Sequence, residues 1–142
     1  MTALLDVSAL IALLDPQHSM HAEVADWFVA ESGAGWSTCP ITENGFLRIV
    51  TGTRYTNPVA LPLAWTALNT ACRQPSHEVW PCDISLLEPS LFVADRALTS
   101  AQITDIYLLG MAVRHQGTLL TLDRRISIES VPGASSRHLT VL

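Results

Sequence analysis

ALLDVSALIALL, residues 3–14, sets a short apolar run against an acid and then against a second apolar run. Thr2 to Leu5 reads as a buried strand ending at Asp6, and Ser8 is placed to cap a helix that runs from Ala9 until Asp15-Pro16 closes it. A related order recurs near the other end, where Thr118 to Leu122 forms a compact strand that delivers Asp123. Between them, His18 to Glu31 reads as a helix ended by Ser32-Gly33. A short strand near Gly35 to Thr38 precedes Pro40, at the start of a helix carrying Glu43. Gly52 to Pro62 is a loop by composition, Leu63 to Arg73 a helix, Val79-Trp80 a brief strand, and Ile84 to Ala94 an amphipathic helix starting near Asp83. A helix from Thr104 to about His115, and a last strand over His138 to Leu142, complete the reading. Strands alternating with helices predict a three-layer α/β/α domain around a mostly parallel central sheet. Ligand sites in such sheets form at the carboxyl ends of the strands, where Asp6 and Asp123 fall.

A chain of 142 residues accommodates one such domain and is too short for two, so residues 1–142 are expected to be a single unit. Hydrophobic residues make up 49% and charged residues only 15%, against a typical charged share of about 25%. So few charges leave apolar surface uncovered, which predicts a homo-oligomer or a protein partner. The net charge of −5 argues against nucleic-acid binding through a broad basic face, but not against binding through metal ions. All eight basic residues are Arg, which excludes lysine-dependent chemistry such as P-loops and Schiff bases. Cys39, Cys72 and Cys82 lack any CxxC spacing and read as reduced, buried thiols. Asp6 interrupts the N-terminal apolar run, and no stretch approaches the roughly 18 apolar residues of a membrane span, so a soluble, cytoplasmic protein is expected.

Four acids stand out. Asp6 alone reads equally as a helix cap or as a nearly buried charge that a cation compensates. Glu43 shares a helical stripe with Phe46, Leu47 and Val50, so it points toward the core side unless the helix begins later. Asp105 follows Thr104, read as a cap, and sits in a first helical turn, where acids favour the helix dipole. Asp123 reads as a turn residue or as a ligand. Taken together, four acids at two strand ends and two helix starts are better explained by one hard cation, and Mg²⁺ suits them, with Mn²⁺ as an alternative. His18 and His21 make at most half a zinc site, and the four tryptophans read as core or partner contacts.

ALLDVSALIALL, TENGFLRIV (42–50), ITDIYLLGMAV (103–113) and GTLLTLDRRI (117–126) resemble, in order and spacing, the acidic motifs of PIN-domain nucleases, especially VapC-like toxins of bacterial toxin and antitoxin pairs. The resemblance implies a PIN fold, metal-dependent endoribonuclease activity leaving 5′-phosphate and 3′-hydroxyl ends, a homodimer, and a cognate VapB-like antitoxin forming a hetero-oligomer with it. It makes Asp6, Glu43, Asp105 and Asp123 the acidic cluster around the metal. Ser8, Asn44, Thr104 and Thr121 become supporting neighbours, and Arg124 and Arg125 candidates for holding RNA. Some members carry a further acid two residues after the last aspartate, where this chain has Arg125. A catalytically inactive PIN-like binding or assembly module is the competing reading. A phosphatase with an aspartate nucleophile fits less well, because Ser8 replaces its second Asp and lysine is absent.

Overall fold

The computed structural model describes residues 1–94 and 99–142. Its frame is a five-stranded, all-parallel sheet formed by β1 (Ala3–Leu5), β2 (Trp36–Thr38), β3 (His77–Val79), β4 (Thr118–Thr121) and β5 (Leu139–Val141), in the spatial order β3-β2-β1-β4-β5. The central strand β1 pairs Ala3 with Trp36 on one side, and Ala3, Leu4 and Leu5 with Thr118, Leu119 and Leu120 on the other. Ala3, Leu4 and Leu5 are all buried, as a strand covered on both faces requires.

Helices α1 (Val7–Leu14), α2 (His21–Glu31), α3 (Pro40–Val50) and α4 (Leu61–Ala71) build the layer on one face, and α5 (Ile103–Arg114) covers the other. The first interface buries Leu5, Leu10, Ile11, Trp36, Phe46, Leu68 and Leu120, and the second Leu4, Trp80, Leu108, Leu109, Met111, Leu119 and Val131. The expected three-layer α/β/α architecture is therefore present, with a sheet that is wholly parallel.

Several local expectations need correction. Residues 84–94 form turns and coil instead of a helix. Pro89 offers no backbone donor in the middle of that stretch, and Ile84 and Phe92 still pack on the core individually. Asp6, and not Ser8, caps α1; its side chain accepts from Ala9 N. Gln102, and not Thr104, precedes α5. Of the thiols only Cys39 is buried, while Cys72 is half-buried and Cys82 exposed. Among the described residues no helix is long and apolar enough to cross a membrane.

Candidate active site

Moving outward from β1, the strands run to β2 and β3 on one side and to β4 and β5 on the other. The chain reverses its direction of winding between β1 and β4. The loops leaving those two strands diverge to opposite faces and open a crevice at their carboxyl ends. Asp6 follows β1 and Asp123 lies just beyond β4, so the topology alone brings the two acids to one place. A backbone bond from Asp6 N to Leu120 O, 3.0 Å, ties the Asp6 turn to β4.

The crevice is a cleft of about 700 Å³ lined by Asp6, Ser8, Asp105 and Asp123, by Thr104, by Asn44 and Arg48 from α3, and by apolar side chains including Ile11, Ile41 and Leu108. Asp6 is only 3% exposed. Its Oδ1 accepts from Ser8 Oγ and from Ala9 N, both at 2.7 Å, and its Oδ2 accepts from Thr121 Oγ1 at 2.5 Å. Thr121 Oγ1 in turn accepts from Asp123 N at 3.0 Å. Ser8 and Thr121 thus hold the carboxylate, and Thr121 links it to the Asp123 turn.

Burial raises the Asp6 pKa against these hydrogen bonds, and the charge of Asp123 adds to the rise. Asp105, in the first turn of α5, is raised to about 6 by burial and then by the negative charges of Asp6 and Asp123. Asp123 shifts the other way, because Arg125 grips it: Nε donates to Oδ1 at 2.9 Å, Nη2 to Oδ2 at 2.8 Å, and the Arg125 backbone N to Oδ1 at 2.9 Å.

Glu43 departs from expectation. The stripe it shares with Phe46, Leu47 and Val50 does face inward, but toward α4 and not toward the cleft. Glu43 Oε1 accepts from Thr38 Oγ1 at 2.7 Å, and His77 Nε2 lies 3.0 Å from the same hydroxyl. Its carboxylate lines a separate pocket with Leu47, Trp65, Leu68 and Cys72. The next residue, Asn44, is rotated by about 100° around the helix and lines the cleft in its place. Arg48, one turn further on, lines the cleft as well; its spacing of four from Asn44 is the signal available in the sequence. Arg124 is exposed and does not line the cleft. His18 and His21 are engaged locally, with Met20 N and Ala12 O respectively.

The donor set in the cleft is carboxylate and amide oxygen, without thiol or imidazole, and its carboxylates repel one another; both features suit a hard divalent cation. Among the described residues no three His, Cys, Asp or Glu groups stand close enough, as placed, to hold an ion together. Asp123 turned onto Arg125 accounts for part of that opening.

The raised pKa of Asp105 makes the stability of the fold depend on pH. Its folded pKa of about 6 exceeds the ordinary 3.8, so the folded state holds this proton more tightly than the unfolded chain. That contribution is complete below about pH 4 and is lost as pH rises through 6. Metal-free protein is therefore expected to show a falling thermal midpoint across that window, and Asp105→Asn should flatten the profile.

No family model matches the chain. It is 39% identical over 142 residues, the full length of both chains, to Ribonuclease VapC44 of Mycobacterium tuberculosis. It is 36% identical over 136 residues to Ribonuclease VapC39 of the same species, covering 94% of this chain and 96% of that one. In fold it matches a chain from the crystal structure of VapBC2 from Rickettsia felis bound to a DNA fragment from their promoter, with TM-score 0.62, 10% identity, and 99% and 98% of the two chains covered. An α/β domain with acids at the switch point of a parallel sheet is the PIN architecture expected from the motifs. At this identity over its whole length, the chain belongs to the VapC ribonuclease family.

Proposed function

We propose that the protein is a divalent-metal-dependent endoribonuclease toxin of a VapBC-type pair, neutralised by a VapB-like antitoxin. The observation that carries this reading is the convergence of Asp6, Asp105 and Asp123 on one cleft at the ends of β1 and β4. These three would hold Mg²⁺ or Mn²⁺. A bound metal supplies a water of lowered pKa and offsets charge on the phosphate, which removes the need for a histidine base.

The chain's own residues do the rest. Ser8, Thr121 and Ala9 N hold the Asp6 carboxylate in one orientation, so little is lost in ordering it when the site loads. Asp105, raised to about 6, is ionised above that pH and would then add a second anionic ligand. Asn44 presents an amide to the same space, and Ile11, Ile41 and Leu108 keep the walls apolar, strengthening electrostatic interactions inside. Leu61, Leu63 and Trp65, exposed along α4, offer an apolar face to the antitoxin or to a second copy in a homodimer.

The test is incubation of total RNA with purified protein and Mg²⁺ or Mn²⁺, with and without EDTA. Discrete, EDTA-sensitive cleavage is expected. Failure to bind either metal would instead favour an inert PIN-like binding module. Because protons compete with the cation for Asp105, Mn²⁺ affinity should climb by up to about tenfold per pH unit below 6 and level off above it. Glu43→Gln should leave metal binding and cleavage within about threefold of the parent, since the side chain lies outside the cleft.

A further inference from the structure

Resting on the ribonuclease reading, we propose that Arg48 binds an RNA phosphate flanking the scissile one and so positions the strand. Arg48 projects from the last turn of α3 into the cleft, on the edge that also carries Pro40, Ile41, Asn44 and Gly45. The acids enter from the β1 and β4 loops and from α5. Among the described residues, Arg48 makes no salt bridge.

Charge accounting around the cleft singles this residue out. Arg125 is committed to Asp123 through a two-pronged contact, and Arg124 lies outside the cleft lining. Among the described residues that line the cleft, Arg48 is therefore the uncommitted cation.

An RNA strand whose scissile phosphate lies at the acids must carry its neighbouring phosphates along the same cavity. Apolar Ile11, Ile41, Ile49 and Leu108 cannot balance those charges, and the chain's net −5 repels them. A guanidinium fork matches two phosphate oxygens at once. Its place on α3, a different element from those that carry the acids, fits it to a flanking phosphate, while Asn44, one turn back, adds a donor beside it.

The experiment uses the full chain, an RNA oligonucleotide containing a site cut by the parent protein, and Arg48→Gln and Arg48→Lys variants, with folding checked by circular dichroism. For Arg48→Gln, KM should rise about tenfold with kcat little changed. The slope of log(1/KM) against log salt should flatten by about 0.7. Arg48→Lys should fall between the two, keeping the charge without the fork. Mn²⁺ affinity, followed by electron paramagnetic resonance, should match the parent in both. An unchanged KM, a loss confined to kcat, or tighter Mn²⁺ binding without a KM change would each overturn the assignment. A parent protein that neither binds Mn²⁺ nor cuts RNA would overturn the ribonuclease reading itself, a result separable from normal cleavage by Arg48→Gln.

Discussion

Asp6→Asn is expected to reduce cleavage by about a thousandfold or more, because several kcal/mol of metal-derived charge stabilisation is lost with its best-anchored ligand. The amide has nearly the shape of the carboxylate. Its oxygen can still accept from Ser8 Oγ and Ala9 N, so the α1 cap survives. At the Oδ2 position an NH₂ group would face Thr121 Oγ1, whose hydrogen must then turn elsewhere. Against that local cost stands relief of a buried charge: burial raises the Asp6 pKa, so the ionised group opposes folding near neutral pH. The thermal midpoint of metal-free Asp6→Asn should therefore equal or exceed that of the parent. RNA cleavage, Mn²⁺ binding and thermal unfolding in EDTA check the three parts. A collapse in stability together with activity would show that Asp6 serves the fold more than the metal.

Gly117→Ala is expected to cost about 3 kcal/mol and to lower the thermal midpoint by about 10 °C. A Cβ on Gly117 would lie 2.5 Å from Thr2 O and 2.5 Å from Trp80 Cη2. Neither neighbour can give way cheaply. Thr2 O accepts from Thr118 N at 3.0 Å at the β1–β4 junction. Trp80 is buried in the α5-side core, stacks on His115 with ring centroids 4.5 Å apart, and donates to Glu78 Oε1 at 2.8 Å. Because β1 and β4 carry two of the acids on their far ends, the shift should also weaken Mn²⁺ binding. Gly33→Ala is the control, since a Cβ there meets nothing within 4 Å, and it should be nearly neutral. Calorimetry of the two variants decides the matter.

These sites show how far the sequence could be read. The strand, acid and helix order around Asp6 and the strand ending before Asp123 were legible because apolar runs flanked by acids have few other readings, and the parallel sheet then fixed where both acids go. Helical spacing also placed Glu43 correctly on its stripe. It could not show that the stripe faces α4, because which neighbour a face meets depends on elements far along the chain. Thr38, Cys72 and His77, the groups around Glu43, come from three separate segments. Arg48 escaped for the same reason. Residues 84–94 carry a helix-like apolar pattern, yet Pro89 and long-range packing of Phe92 outweigh it. The left-handed residue of the turn after α5 is Gln116, with φ 56°, and Gly117 is needed for close approach, which no local pattern announces.

The outermost strands, β3 and β5, are each three residues long. So short a rim presents too few free amides and carbonyls to template another strand, which protects a hydrophobic chain with few charges from stacking into fibrils. Assembly through α4, as proposed above, would engage helix side chains and leave the strand edges alone. Contacts of that kind can be undone one residue at a time, so a complex built on this domain can dissociate while every strand of the sheet stays paired.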